Sequence, residues 1–219
     1  MAQAFSFLTD LHQRGFAWLM SRLSGSYERL ISDRKEELFG ELEGTVLEIG
    51  PGTGPNLRYL SSEARWIGVE PNPYMESYLE NEAEVRHRRL HLVRGVAETL
   101  PLADESVDVA VSTLVLCSVE GPDRALKEIH RVLKPGGRFI FVEHHGAEEG
   151  SWLRRVQRWI RPAWCWAADG CRPDRDTDDI IENAGFARLE MDRFSLSLPV
   201  VSPHVAGVAW KESGGAGRK

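Results

Sequence analysis

The stretch Val46-Leu47-Glu48-Ile49-Gly50-Pro51-Gly52-Thr53-Gly54 decides how this chain folds. Its apolar residues predict the end of a buried parallel strand, and its alternate glycines predict a tight turn directly after that strand. Leu57 and Leu60 then have the spacing of a helix start. Strand, glycine turn and helix in this order are typical of the ligand-binding corner of a doubly wound α/β sheet.

The acid in front of the glycine turn indicates which ligand binds there. A dinucleotide fold places a pyrophosphate at the helix N-terminus, and Glu48 is a poor neighbour for that anion. The glycine spacing also differs from the G-x-G-x-x-G fingerprint. A carboxylate at this position suits a ligand with an amino group and a sulfonium, as in S-adenosylmethionine (SAM). The alternative is a generic glycine turn between a strand and a helix.

A second acid strengthens this interpretation. Residues 64–70 have the composition of a strand and end at Glu70, which falls 20 residues after Gly50. An acid near this spacing accepts ribose hydroxyls in nucleotide-binding folds, and a carboxylate has acceptors for both. Pro71 follows and keeps the chain extended, where it can lie along an adenine. The alternative for Glu70 is a solvated strand end.

Further strands and helices alternate along the chain. We predict strands over residues 91–94, 107–112 and 138–143, and a helix that begins near Gly121 and ends at the turn 134–137. Alternation of this kind predicts an α/β fold with a doubly wound, mostly parallel sheet and helices on both faces.

Four segments together resemble the class I SAM-dependent methyltransferase family: VLEIGPGTG, GVEPN, GVAETLPLADESVDVAVST and RVLKPGGRFIFVEH. More narrowly, TLVLCSV, EHHGAEEGSW and DGC followed by Arg172 resemble the methyltransferase-like 7 group, whose members are thiol S-methyltransferases. This resemblance implies a Rossmann-like sheet of seven strands, in which residues 186–196 and 205–211 add the last two and the final strand is antiparallel. It also implies methyl transfer from SAM to a small molecule, which leaves S-adenosylhomocysteine.

The resemblance assigns roles to individual positions. In the family, the residues that match Glu48 and the glycine turn hold the methionine part of SAM. The residues that match Glu70 and Pro71 hold the ribose and adenine, and those that match Ala97 and Glu98 flank the base. The predicted cofactor-binding residues are Glu48, Gly50, Gly52, Gly54, Asn56, Glu70, Pro71, Ala97, Glu98 and Thr113.

Composition is consistent with an enzyme domain and excludes some partners. The chain has 219 residues, of which 42% are hydrophobic, and a net charge of −6. This charge argues against a nucleic-acid surface, which would be basic. The three cysteines contain no C-x-x-C pair and are odd in number, so we expect reduced thiols and a cytoplasmic protein. Nothing in the sequence predicts an oligomeric state.

Residues 1–43 have helical spacing and precede the predicted methyltransferase domain of residues 44–211. No apolar run in them approaches the about 20 residues of a membrane span. The sequence thereby departs from animal members of the thiol group, which carry a hydrophobic N-terminal anchor. We expect one or two helices that form a lid over the SAM site, and a peripheral membrane helix is the alternative. Residues 212–219 are expected to be disordered.

Four tryptophans fall between Gly150 and Gly170. We predict a helix that Pro162 interrupts, with Trp159 and Ile160 packed on the core. Because this segment follows the fifth strand, it lies near the ligand-binding edge, and we predict that Trp152 and Trp164 wall an apolar acceptor pocket. A basic, aromatic helix of this kind could instead contact a membrane.

Methyl transfer is an in-line displacement that requires alignment and exclusion of water, so we expect no metal. The predicted bases for an acceptor thiol are His144, His145 and Asp169, and Cys117 is expected near the methyl group and the substrate. A hydrogen-bonded strand-end histidine and a buried apolar cysteine are the alternatives. O-, N- or C-methylation of a quinone precursor or another small metabolite, and SAM binding without catalysis, are the other functions considered.

Overall fold

The computed structural model describes residues 2–40 and 42–214 of the chain. They contain one seven-stranded sheet and five α-helices. The strands are β1 Thr45–Ile49, β2 Arg65–Glu70, β3 Leu92–Arg94, β4 Val107–Thr113, β5 Leu133–His144, β6 Arg188–Ser195 and β7 Pro203–Trp210. The helices are α1 Ala2–Phe39, α2 Glu76–Val85, α3 Pro122–Val132, α4 Trp152–Ala167 and α5 Thr177–Glu182.

The strand order is β3-β2-β1-β4-β5-β7-β6. Strands β1 to β5 pair in parallel, and β7 is antiparallel to both β5 and β6. The predicted mostly parallel, seven-stranded sheet with an antiparallel last strand is therefore confirmed. Reversal of strand order between β1 and β4 creates the crevice at the carboxyl ends of the strands, where such sheets bind ligands.

Helices cover both faces of the sheet because its central strands are apolar on both sides. In β5, Phe139 and Phe141 pack on the face that carries α3 and α5. The alternate residues Ile140 and Val142 pack on the other face, with α1 and α2. This period-two alternation forms two cores, one on each side of the sheet.

The N-terminal region is a single helix of 38 residues, within the prediction of one or two. Its buried positions Glu28, Ile31, Lys35 and Phe39 recur at helical spacing, so one face of α1 packs along the domain. Among residues 2–40 and 42–214, no helix combines the length and the apolarity that a membrane crossing requires.

Three local predictions differ from the structure. The segment after the glycine turn is a short 3₁₀ helix, Pro55–Tyr59, rather than the start of an α-helix. The predicted turn at 134–137 lies inside β5, where pairing with β4 shifts register between Val107 and Val109. Helix α4 continues through Pro162, whereas the prediction was that this proline interrupts it. Proline has no N–H to bond the carbonyl one turn earlier, but because Pro162 is exposed, that carbonyl can accept a hydrogen bond from water.

The predicted disordered tail is mostly outside the described residues. Residues 212–214 have no regular secondary structure, and residues 215–219 are not described.

Candidate active site

A cavity of about 870 Å³ opens at the carboxyl edge of the sheet. Its walls include residues at or just after the ends of four parallel strands, namely Gly50 after β1, Glu70 in β2, Thr113 in β4 and His144 in β5. Helix α1 closes another side with Phe16, Met20, Leu23, Ser24, Tyr27 and Glu28. The glycine turn predicted from the sequence therefore forms part of the wall of this cavity.

The glycine turn has the backbone conformation that requires glycine. Gly50 and Gly52 have φ values of 56° and 55°. A Cβ on Gly50 would lie 2.6 Å from a methyl of Val115, so the two loops approach too closely for a side chain. A Cβ on Gly52 would meet no described atom within 4 Å, and Gly52 lines the cavity. The turn therefore leaves open space beside its backbone, as a bound ligand requires.

Glu70 joins this turn to the end of β2. One carboxylate oxygen accepts from the backbone N–H of Gly52 at 3.0 Å, and the other accepts from the N–H of Asn72 at 2.9 Å. Burial raises the pKa of the Glu70 carboxyl. Each oxygen retains acceptor capacity toward the cavity, so the arrangement fits two hydroxyls of one ribose.

Glu48 lies at the cavity wall and is also buried. Its two oxygens accept from Asn56 Nδ2 and from Trp66 Nε1, each at 2.9 Å. Asn56 Nδ2 also lies 3.1 Å from Thr113 Oγ1. Burial raises the pKa of Glu48, and these hydrogen bonds oppose that effect by stabilising the carboxylate. Glu48, Asn56 and Thr113 all lie at the predicted cofactor end.

A buried ion pair behind this wall was missed from the sequence. The Lys35 side chain is fully buried, and its ammonium donates to Glu28 Oε1 at 2.5 Å and to Asn56 Oδ1 at 2.7 Å. Burial lowers the pKa of Lys35, and Glu28 opposes that effect. The pair connects α1 to Asn56 and through it to Glu48. Their spacing places Glu28 and Lys35 on one helix face, but nothing in the sequence shows that this face is the buried one.

The remaining cofactor predictions divide into two groups. Ala97, Glu98 and Pro71 line the cavity, and Glu98 accepts from the N–H of Gly121 at 3.1 Å. Gly54, also predicted to bind the cofactor, is not among the lining residues. It caps the 3₁₀ helix at φ 83°, where a Cβ would lie 2.6 Å from Leu79. Gly54 thus serves the packing of the turn.

Two histidines lie side by side at the other end of the cavity. His144 at the end of β5 pairs with His204 of β7, and both line the cavity. Both rings are buried, with centroids 6.3 Å apart, and Tyr27 of α1 lies 5.9 Å from His204. His204 was missed because it lies at the start of a late strand. Only the antiparallel direction of that strand brings its start to the edge where β5 ends.

The free nitrogens of the two histidines differ. His204 Nδ1 lies 3.1 Å from the Ser202 carbonyl, so Nδ1 carries the proton and Nε2 is the acceptor. His144 Nε2 lies 3.0 Å from Cys171 Sγ. His204 Nε2 and His144 Nδ1 are buried without a hydrogen-bond partner in the described part of the chain. Burial lowers the pKa of His204 to about 4, so this ring is neutral near pH 7.

Of the predicted catalytic and substrate-binding residues, His145 and Trp152 lie neither on the cavity wall nor directly behind it. The side chain of His145 lies 3.5 Å from Asp178 instead, because successive strand residues alternate between faces. Trp152 is 75% exposed and does not line the cavity. The prediction that Trp159 packs on the core is wrong, since it is 83% exposed, although Ile160 is half-buried.

The third predicted base, Asp169, does line the cavity. It lies in the turn after α4 with φ 46°. Its carboxylate is 3.9 Å from His12 of α1, and burial raises its pKa.

Cys117 and Trp164 lie behind the cavity wall rather than on it. Cys117 is buried in the loop after β4, and Trp164 Nε1 donates to Cys171 Sγ at 3.3 Å. Hydrogen bonding with Cys117, and then with His144 and Trp164, lowers the pKa of the Cys171 thiol to about 5. The same contact with Cys171, together with burial, raises the pKa of Cys117.

A buried glutamate holds the loop that carries Cys117. Glu143 accepts from Ser112 Oγ and from the backbone N–H groups of Val115 and Leu116, at 3.1 and 3.2 Å. On the opposite side, Arg175 donates to the carbonyls of Leu116 and Val119 at 2.6 and 2.7 Å. These contacts hold the loop between β4 and α3 from both sides.

The cavity lining combines acidic and apolar side chains. Carboxylates of Glu28, Glu48 and Glu70 lie on the cavity wall with the glycine turn, where they suit a cationic ligand. The apolar side chains are Phe16, Met20 and Leu23 of α1, with Leu198 and Val201 of the segment before β7. Fold, glycine turn and paired acids together define a class I methyltransferase site, and the open space beside Gly52 fits SAM.

Comparison with known proteins agrees with this class. Residues 47–141 match the family described as "Methyltransferase domain". The chain is 37% identical to the Homo sapiens thiol S-methyltransferase TMT1B over 209 residues, which cover 90% of this chain and 86% of the relative. It is 36% identical to the Homo sapiens thiol S-methyltransferase TMT1A over 212 residues, which cover 91% and 87%.

Solved structures show the same fold. A Thermotoga maritima protein described as a SAM-dependent methyltransferase and possible histamine N-methyltransferase is 26% identical, with a TM-score of 0.59 over 90% of this chain and all of that chain. The chain therefore belongs to the class I SAM-dependent methyltransferase family, and within that family it resembles the thiol S-methyltransferases. The predicted family and enzyme class are confirmed.

Proposed function

We propose that this methyltransferase acts on the sulfur of small, uncharged thiols. The observation that carries the proposal is the apolar lining that α1 and the segment before β7 give to the cavity, since it favours a neutral acceptor. Removing apolar surface of such an acceptor from water contributes roughly 25 cal/mol per Å². The names of the relatives TMT1A and TMT1B support sulfur as the nucleophile.

The residues that hold SAM follow from the contacts described above. Glu70 accepts the ribose hydroxyls, Gly52 leaves room for the chain beside it, and Glu48 with Glu28 favours the amino group. Pro71, Ala97 and Glu98 enclose the adenine. When bound, SAM supplies a methyl group that its sulfonium has already activated.

The proton of the acceptor thiol must be transferred to a base in the cavity. The free Nε2 of His204 can accept a hydrogen bond from a thiol, because the Ser202 carbonyl holds the ring proton on Nδ1. As the sulfur gains a methyl group its proton becomes strongly acidic, so a weak base such as His204 suffices. His144 is the predicted base in the same cavity, and its Nδ1 is also free.

We propose that the N-terminal region acts as the lid expected from the sequence. Phe16, Met20 and Leu23 place apolar surface of α1 on the cavity, and the Lys35–Glu28 pair holds α1 in place. Exclusion of water strengthens the electrostatic interactions inside and keeps the nucleophile desolvated.

We also propose that the enzyme is cytoplasmic and contacts membranes peripherally. Trp152, Trp159 and Trp166 are each more than 70% exposed and lie seven residues apart, so they form one stripe on α4. His12 of α1 lies against Trp166, which places the two helices next to each other. Tryptophan side chains at this exposure are suited to a lipid interface.

A panel assay with radiolabelled SAM tests the acceptor. Uncharged alkyl and aryl thiols should be methylated, whereas glutathione and cysteine, which carry charges, should react poorly. Phenols, amines and quinols serve as the comparison set. Methylation of a phenol or quinol while every thiol is inert would replace this proposal with O- or C-methylation, the alternative considered from the sequence.

A further inference from the structure

A cluster of three metal-ligand side chains lies at and behind the cavity wall. Sγ of Cys117, a ring nitrogen of His144 and Sγ of Cys171 all lie within 4.8 Å of one another, and all three residues are buried. Within the described ranges it is the one group of three or more such side chains with this spacing. Methyl transfer as proposed above uses neither cysteine.

The three residues come from distant segments that the backbone holds together. Cys117 lies after β4, His144 ends β5, and Cys171 follows α4. The N–H of Arg172 donates to the Cys117 carbonyl at 3.0 Å, which fixes the two cysteine segments side by side. Gly170 has φ 87°, and a Cβ there would lie 3.1 Å from the Ser118 carbonyl. The cluster is therefore built by close packing of two loops.

The donor set selects the type of ion. Two thiolates and one imidazole are ligands for Zn²⁺ or Cu⁺ rather than for Mg²⁺ or Ca²⁺. Zinc–sulfur bonds of about 2.3 Å in a tetrahedron place two sulfurs about 3.8 Å apart, which is inside the spacing of the cluster. We propose that Cys117, His144 and Cys171 bind a single Zn²⁺ ion.

Binding balances in atoms and charge. Both cysteines bind as thiolates, and any proton still on a thiol goes to solvent. Two sulfur–zinc bonds and one nitrogen–zinc bond form, and no oxidation state changes. The two thiolates neutralise the ion. Three protein ligands leave one tetrahedral position for a water or another ligand. The indole N–H of Trp164, 3.3 Å from Cys171 Sγ, stabilises the thiolate and orients it.

The ion would connect three parts of the cavity wall. His144 lines the cavity, and Cys117 lies between the lining residues Val115 and Ser118. Zinc would thus fix the histidine ring through Nε2 and leave the ring proton on Nδ1, so that His204 rather than His144 would receive the proton of the acceptor. This role goes beyond methyl transfer, and metal binding can be measured whether or not the thiol assignment is correct.

Metal analysis of the full chain tests the proposal. Protein purified without chelators should contain a single zinc per chain by inductively coupled plasma mass spectrometry. Replacement by Co²⁺ should give thiolate-to-cobalt charge-transfer absorption. Cys117→Ser and Cys171→Ser should lose the ion, whereas Cys165→Ser removes a free cysteine outside the cluster and should retain it. Trp164→Phe should weaken zinc binding by about 10- to 100-fold, as for other outer-shell partners.

Alkylation of the cysteines in the wild-type protein tests the zinc site even if a cysteine variant does not fold. Zinc should protect Cys117 and Cys171 but not Cys165, and a chelator should remove that protection. Folded wild-type protein that binds neither zinc nor cobalt would overturn the proposal. Equal loss of metal in Cys165→Ser, or a Cys117–Cys171 disulfide in protein purified without oxygen, would overturn it as well.

Discussion

His144 and His204 are directly paired across β5 and β7, at the edge of the sheet where the cavity opens. They are 60 positions apart in the chain (204 − 144), and the antiparallel direction of β7 alone brings them together. Each retains one buried ring nitrogen that has no hydrogen-bond partner among the described residues. The proposed acceptor of the thiol proton is the unprotonated Nε2 of His204.

Replacing His204 should show whether this ring removes the proton of the thiol or only positions the thiol for methyl transfer. In His204→Ala we expect a lower rate with un-ionised alkyl thiols and little change with aryl thiols that are already ionised at the assay pH. Steady-state kinetics with one thiol of each kind measures the difference. His144→Ala provides the comparison. An equal fractional loss with both thiols in His204→Ala would show that the ring is structural.

Glu70→Ala should weaken SAM binding because the ribose hydroxyls lose a charged acceptor, an effect of about 1.5–3 kcal/mol. That corresponds to about 10- to 150-fold in the dissociation constant measured by titration calorimetry. Glu76→Ala, which removes an exposed acid six positions further on (76 − 70), is the matched control. Unchanged affinity in Glu70→Ala would contradict the ribose assignment.

The same carboxylate predicts a pH dependence. Burial raises the pKa of Glu70 above the ordinary value of 4.5, so protonation begins at a higher pH than for an exposed glutamate. A protonated carboxyl accepts fewer hydrogen bonds, and SAM affinity should therefore fall as the pH decreases through that raised pKa. Calorimetry across the acidic range checks this, and an affinity that rises with acidification would contradict it.

Gly52→Ala should reduce SAM affinity more than it reduces stability. A side chain at φ 55° costs roughly 1–2 kcal/mol, and the added methyl occupies space that the cavity leaves open. Gly15→Ala in α1 is the control, since a Cβ there meets no described atom within 4 Å and alanine favours a helix. Calorimetry measures the SAM affinity of the two variants, and thermal unfolding measures their stability. Equal SAM affinity in both variants would refute the role of Gly52.

The Lys35–Glu28 pair should contribute strongly to the stability of the protein, because it holds α1 against the domain. Lys35→Met leaves Glu28 without its buried partner, and removing one member of a buried pair typically costs about 3–5 kcal/mol. The double variant Lys35→Met with Glu28→Leu should recover much of that loss, because neither charge is then unpaired. Denaturant unfolding of the three proteins provides the test, and a double variant no more stable than Lys35→Met would contradict it.

Membrane contact is tested with the α4 stripe. The wild type should co-sediment with vesicles that contain anionic lipid, and replacing both Trp159 and Trp166 with serine should reduce the bound fraction. The control is Trp210→Phe, which changes a tryptophan outside the stripe. Trp66→Phe is unsuitable because the Trp66 indole donates a hydrogen bond to Glu48. Equal sedimentation of the serine variant and the wild type would contradict a role for the stripe.

The parts predicted correctly from the sequence are local. The strands and the glycine turn depend on short-range apolar alternation and backbone sterics, so Glu48 and Glu70 could be placed at the ligand edge. His204 and the Lys35–Glu28 pair depend on contacts between distant segments, which neither periodicity nor a short motif specifies. Trp159 was placed on the wrong face because an amphipathic pattern with both tryptophan and arginine permits two buried faces.

The acceptor atom is tested most directly with a molecule that offers two nucleophiles. Incubation of the enzyme with SAM and 4-mercaptophenol, followed by mass spectrometry and NMR of the product, shows which atom gains the methyl group. Thiol S-methylation predicts the S-methyl product, formed only with enzyme and formed more slowly by Glu70→Ala when SAM is limiting. Formation of the O-methyl ether, with the thiol left free, would contradict the account.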